Sequence, residues 1–184
     1  MAYKPKPWVD KAWLAWFILQ LLVIVFVDAL QFYPKSLYAT EGSPLHALKR
    51  LHDYYVATYN DPIVQWELPG RPWTRLFGLI EVGFQLPTAA YGVYLLSSSS
   101  SSRRSVGYAD EMLFFLYALE TAFTTLVCVH DVAYWDDAVY SPQQKRVFWL
   151  QLYGPWLLIP SIMAVDMFFR LQARLAAGAE RKTK

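Results

Sequence analysis

Asp28 and Glu81 are the residues of this 184-residue chain whose chemistry most needs explaining, because each lies inside a long apolar run. A charged carboxylate at the centre of a spanning helix costs roughly 3 kcal/mol or more, so such residues face a bundle interior, find a partner and mark a site. Two carboxyls in contact at low dielectric do not both ionise. The pair shares a proton and carries about one negative charge. With aromatic walls it suits a cationic amphiphile or a hydroxyl-bearing lipid; with placed acid and base partners it suits proton transfer. A purely local reading also stands, in which Asp28 caps or snorkels at its helix end and Glu81 bonds only Gln85, one turn on. Glu120 is a third mid-run carboxyl, one turn from Thr124, either bonded within its own helix or facing the same cavity.

The elements that must position these groups are membrane spans. The chain is 55% hydrophobic and only 17% charged, against about 25% charged in soluble domains. Its apolar residues fall into four blocks, 13–32, 76–96, 107–132 and 148–171. Each is long enough for a hydrocarbon core that takes about 20 helical residues to cross. We read an all-α integral membrane four-helix bundle forming a single domain over residues 1–184. The first block lacks a cleavage site of small residues and exceeds a signal peptide's apolar core, so it reads as a retained helix. With the N-terminus cytosolic, that side carries Lys4, Lys6, Lys11, Arg103, Arg104, Arg170, Arg174, Arg181, Lys182 and Lys184. The far side carries Lys35, Lys49, Arg50, Arg71, Arg75, Lys145 and Arg146 over longer loops. The excess of positive charge places both termini in the cytosol.

Between the first two spans, residues 44–59 repeat Leu45, Leu48, Leu51 and Tyr55 at helical spacing, with Ser43–Pro44 as a cap and first-turn pair. This luminal helix is either a lid over the bundle mouth or an interfacial helix with no part in binding. Pro69, Gly70 and Pro72 break the chain before the second span. Six serines from Ser97 to Ser102, followed by Arg103–Arg104, make a polar cytosolic linker. Asp110–Glu111 suit the N-terminus of the third span. Pro155 and Pro160 predict a kink and freed carbonyls in the fourth. Residues 172–184 form a basic tail whose Arg181–Lys182 is either a retrieval signal or an ordinary flank.

Several function classes lack support. A net charge of +2, dispersed along the chain, gives no footprint for nucleic acid. There is no phosphate-binding glycine loop, no Gly-x-Ser-x-Gly and no Cys/His metal spacing, so neither metal nor cofactor is expected. His46, His52 and His130 are scattered, and Cys128, alone of its kind, reads as a small buried residue.

Helix direction then sets depth. Helix 1 runs away from the cytosol and Asp28 lies roughly 7 Å short of its far end; helix 2 returns and Glu81 lies roughly 10 Å from its start. Thr124, Thr125, Tyr153 and Trp156 fall in the same half of helices 3 and 4. All four spans thus bring polar or aromatic groups to one half of the membrane.

At these residues the chain resembles the EXPERA family, most closely its sigma-2 receptor group and fungal relatives. The likeness rests on Asp28 late in helix 1, Asp61–Pro62 after the luminal helix, and Glu81-x-x-Phe84–Gln85–Leu86–Pro87 in helix 2. It continues through Thr124–Thr125–Leu126 in helix 3 and the run Tyr153–Gly154–Pro155–Trp156–Leu157–Leu158–Ile159–Pro160 in helix 4. The resemblance implies a multi-pass endoplasmic reticulum membrane protein, frequently a homodimer, whose luminal-half pocket binds a sterol, another lipid or a cationic amphiphilic small molecule. Asp28 would pair with a ligand amine and a protonated Glu81 would orient it. Gln85, Leu51, Tyr55, Thr125, Tyr153 and Trp156 would line the pocket; Asp61, Pro62, Pro87, Pro155 and Pro160 would be structural. Trp156 stands where the sigma-2 group has tyrosine. The family also holds the emopamil-binding sterol isomerase, whose helix-1 histidine, helix-2 threonine and helix-4 asparagine fall here on Ile24, Phe84 and Tyr153. Without those partners the resemblance favours a ligand anchor over a catalyst. It also implies, through the fungal relatives, a part in handling mitochondrial precursor proteins.

Overall fold

The computed structural model describes residues 7–65, 68, 71–97 and 106–182, with no strand among them. Helix α1 (Pro7–Phe26) runs into a 3-10 turn, Asp28–Phe32, and a second such turn, Lys35–Leu37, precedes α2 (His46–Tyr59). Helices α3 (Pro72–Ile80) and α4 (Leu86–Leu96) are joined without a loop by a π-helical turn, Glu81–Gln85. Helix α5 spans Tyr108–Val132. Helices α6 (Pro142–Val147) and α7 (Gly154–Lys182) are again joined through a π-helical turn, Phe148–Leu152.

Among the described residues, four continuous helical stretches are long and apolar enough to cross a membrane: Trp8–Phe32, Pro72–Leu96, Tyr108–Val132 and Pro142–Ala179. The first three are 25 residues each, about 37 Å at 1.5 Å per residue, against a hydrocarbon core of about 30 Å. Large apolar side chains stand exposed along them: Phe123 is 65% exposed, Leu150 73%, Leu158 60% and Val165 56%. Patches of this kind do not persist in water; they fit contact with lipid chains.

Two helix starts differ from the sequence expectation. The short helix starts at His46 rather than residue 44, because the Ser43 hydroxyl is bound to the Ser36 carbonyl at 3.0 Å and the Thr40 hydroxyl at 2.8 Å. The fourth stretch starts at Pro142 rather than 148. There Ser141 Oγ accepts from the Gln144 amide at 3.3 Å while Gln144 Oε1 accepts from the Ser141 amide at 2.8 Å, a reciprocal cap. The irregularity of this stretch precedes its prolines, and Pro160 sits inside α7. Lys4, Lys6, Pro69, Gly70, the serines beyond Ser97, Arg103, Arg104 and Lys184 lie outside the described residues.

The chain packs as two units, Met1–Leu14 with Tyr94–Lys184, and Ala15–Val93. In the first, α5 and α7 form the main helix pair. Arg170, 3% exposed, donates to Asp10 at 2.7 Å and pairs with Asp166 at 2.8 Å. Trp13 Nε1 donates to the same Asp166 at 2.8 Å, and Arg174 grips Glu111. Arg170 and Arg174 are therefore structural partners of α1 and α5 residues. Lys145 is likewise buried. Its ammonium donates to the Trp135 carbonyl at 2.6 Å and Asp137 at 2.7 Å, closing the loop before α6 over the packed rings of Trp135, Tyr140 and Phe148.

Candidate functional site

Five of the expected site residues, Asp28, Glu81, Gln85, Leu51 and Tyr55, belong to the second unit. Asp28 sits where α1 stops. The last α-type bond of that helix runs from the Val27 amide to the Val23 carbonyl at 2.8 Å. Val27 then leaves the helix at φ −120° and ψ −64°, and the chain tightens into the 3-10 turn that opens with Asp28. Pro34 ends that turn, since the residue before a proline avoids helical angles: Tyr33 is extended at φ −75°, ψ 148°. The Tyr33 hydroxyl reaches back to the Val25 carbonyl at 2.8 Å, one of the acceptors that the break leaves without an amide.

Glu81 opens the π-helical turn and Gln85 closes it, with the Leu86 amide bonded to the Glu81 carbonyl. Pro87 follows at once and has no N–H to give, so the wider turn falls where the regular ladder is already interrupted. Such turns occur preferentially at functional sites. Both carboxyls therefore stand at irregular points of otherwise regular spans.

Three contacts set the register of the two spans within this unit. Gly92 lies against Phe17, where a β-carbon would come within 2.5 Å of the ring. Gln20 Nε2 donates to Gln85 Oε1 at 3.1 Å, both side chains being buried. Gly78 lies against Gln31 and Phe32, where a β-carbon would meet Gln31 Nε2 at 2.9 Å. Ascending positions on one span meet descending positions on the other, so the spans are antiparallel. Asp28 falls between Gln20 and Gln31, and Glu81 between Gln85 and Gly78, which brings the two carboxyls to one level. Gln20 was not singled out by sequence; a glutamine among apolar residues at a two-turn offset from Asp28 was the available signal.

Helix α2 adds a phenol to this level. Asn60, at φ 53°, stops the helix in the left-handed conformation, which asparagine tolerates. The chain then turns Asp61 back under the helix. Fully buried, Asp61 accepts from the Tyr55 hydroxyl at 2.9 Å and from the Ile63 amide at 2.9 Å. Burial, then the Asp61 carboxylate and its hydrogen bond, then Tyr59 and Asp28 hold the Tyr55 phenol well above its ordinary range. Asp28 is thus within electrostatic reach of Tyr55. Leu51, one turn before Tyr55, is 54% exposed. Among the described residues no three His, Cys, Asp or Glu side chains cluster as metal ligands would.

Thr125, Tyr153 and Trp156 belong to the other unit. The Thr125 hydroxyl donates to the Thr121 carbonyl at 2.8 Å and the Thr124 hydroxyl to the Glu120 carbonyl at 3.0 Å, so both protons are committed within α5. Tyr153 follows the second π-helical turn, bonded through its amide to the Phe148 carbonyl at 2.8 Å and with its ring 6.1 Å from that of Phe148. Tyr153 and Trp156 are half-buried. The carboxylate oxygens of Glu120 are buried.

The family model for EXPERA (EXPanded EBP superfamily) matches residues 47–167, well over half of the chain. This protein belongs to the EXPERA family. It is similar to the efficient mitochondria targeting-associated protein 19 of Schizosaccharomyces pombe, 26% identical over 164 residues that cover 88% of this chain and 76% of that one. It is also similar to sigma intracellular receptor 2 of Macaca fascicularis, 26% identical over 162 residues, covering 83% and 82% of the two chains. The EXPERA match takes in Tyr55, Asp61, Glu81, Gln85, Thr125, Tyr153 and Trp156 and begins after Asp28.

Proposed function

We propose that this EXPERA protein is a non-enzymatic membrane receptor or carrier, in the endoplasmic reticulum, for a sterol, another lipid or a cationic amphiphile. What supports this reading is the common level of Asp28 and Glu81 at two helix irregularities, with Tyr55 in reach. Asp28 supplies the negative charge for an amine. Glu81 holds the shared proton and fixes the Asp28 rotamer. Gln85 is tied to Gln20 and sets the floor. The receptor named among the relatives agrees with a binding role, as does the absence of the isomerase's histidine and threonine at Ile24 and Phe84.

A charge-assisted bond to a carboxylate is worth about 1.5–3 kcal/mol, or about 10- to 100-fold in affinity. Asp28→Asn should therefore weaken binding of a hydrophobic amine by that factor while leaving a neutral sterol's affinity within a few-fold. Amine binding that survives Asp28→Asn would remove the assignment. Conversion of a Δ8-sterol to its Δ7 isomer by the purified protein would replace the receptor with an enzyme. A second reading comes from the fission-yeast relative, whose name attaches it to mitochondrial targeting. In that reading the amphiphile site regulates the handling of mitochondrial precursors, and loss of this protein should slow precursor import in cells.

A further inference from the structure

A cavity of about 410 Å³ lies at the far end of the first span, within the second unit and apart from Asp28 and Glu81. It is lined by Gln31 and Phe32 from the end of the first span, by Leu68, and by Arg71, Thr74 and Arg75 at the start of the second. Two guanidiniums one turn apart on one face are an odd choice for this end of a helix. The N-terminus already carries the positive pole, where cations cost stability and acids are preferred. The first turn of α3 contains no acid. The arrangement gathers positive charge that the helix itself does not want, as a site for an anion would.

The donors suit a tetrahedral oxyanion. Arg75 is exposed. Arg71 is already engaged, but a guanidinium has five N–H donors, more than one partner takes up. The Gln31 amide donates one hydrogen to the Asp28 carbonyl at 3.2 Å and has a second. Thr74 directs its hydroxyl proton to the Arg71 carbonyl at 2.8 Å, so it fixes the turn and leaves donation to the other three. Arginine forks match phosphate oxygens two at a time.

The surroundings select the carrier of that phosphate. Leu79, 53% exposed, lies one turn below Arg75 on the same face, and Leu76, 54% exposed, stands on the neighbouring face. Phe32 and Leu68 add an apolar wall. Charge above and exposed leucines below complement a headgroup above and acyl chains below.

We propose that this cavity binds a phosphate group, presented by a phospholipid at the membrane boundary. The test uses the full chain in neutral detergent and follows thermal unfolding and lipid-retaining mass spectra with dioleoyl phosphatidic acid, dioleoyl phosphatidylcholine or inorganic phosphate. Phosphatidic acid should raise the midpoint by several degrees and remain bound in the spectra. Phosphatidylcholine should do so less, and 20 mM inorganic phosphate alone should have little effect. Arg75→Gln should lose most of the shift and Arg71→Gln/Arg75→Gln all of it, whereas Arg75→Lys should keep about half. Retained helicity in each variant separates lost binding from lost fold. A full shift with inorganic phosphate that displaces the lipid would support phosphate recognition and assign a soluble source. No shift with either, or an undiminished shift in the double variant, would overturn the proposal.

Discussion

At the residue scale, Asp61 does most with least. One buried carboxylate satisfies a phenol and a backbone amide at once, and it does so because Asn60 reverses the helix direction first. Removing it strands both donors. Asp61→Ala should cost about 2–3 kcal/mol, since each buried unsatisfied polar group costs about 1–3 kcal/mol, and Asp61→Asn should cost less. Thermal unfolding in detergent measures both. Tyr55 gives a pH signature. Its phenol is held above the ordinary value of about 10, first by burial and then by Asp61. A group raised on folding stabilises below its unfolded value, and that stability drains away as pH climbs towards the folded one. Tyrosinate absorbance of the wild type minus Tyr55→Phe should show no ionisation of this residue near pH 10. A step there would mean that the Asp61 contact is absent in solution. Helical spacing marked Tyr55, but only resemblance pointed to Asp61 and to a site role for either. Their bond depends on the left-handed turn at Asn60, which neither periodicity nor composition encodes.

At the scale of elements, glycines let the spans of the second unit approach. Gly92→Ala would drive a β-carbon into three carbons of the Phe17 ring, all within 2.7 Å, and a buried ring has little room to yield. Overpacking of this kind costs about 1–3 kcal/mol, whereas Gly83→Ala, with nothing within 4 Å of its β-carbon, should be close to neutral. Equal unfolding midpoints for the two variants would refute the packing. The four spans themselves were legible in hydropathy, because a lipid solvent imposes length and apolarity residue by residue. The break at Val27 and the two π-helical turns were not. They change hydrogen-bond partners by one position without changing the apolar pattern, and only Pro87 and Pro155, just after the π-helical turns, hint at where.

For the whole molecule, charge was the least legible property. Arg170 closes an apolar block and Arg174 follows it, and their acids lie far away in sequence: Asp10 is 160 residues from Arg170 and Glu111 is 63 from Arg174. Breaking a buried pair leaves an uncompensated charge and costs about 3–5 kcal/mol. Arg170→Met should therefore be among the most destabilising single changes in the chain, and Arg170→Met with Asp10→Asn should recover part of the loss. Lys49→Ala, which opens the solvent-facing pair with Asp53, should change stability by no more than about 0.5 kcal/mol. Denaturation midpoints of the three variants order these effects, and a mild Arg170→Met would mean that the buried network is not formed.

The π-helical turn from Glu81 to Gln85 makes chain length itself a functional variable. Deleting Gly83, whose side is open, would let the second span close into an unbroken α-helix. The wide turn would give up its one extra residue, and the two halves of the span would draw together by about 1.5 Å. The span would still cross the membrane and still be apolar. Glu81 would then stand three residues before the glutamine instead of four, still on its face but turned relative to it, so a change invisible to hydropathy would reset a carboxylate against its floor.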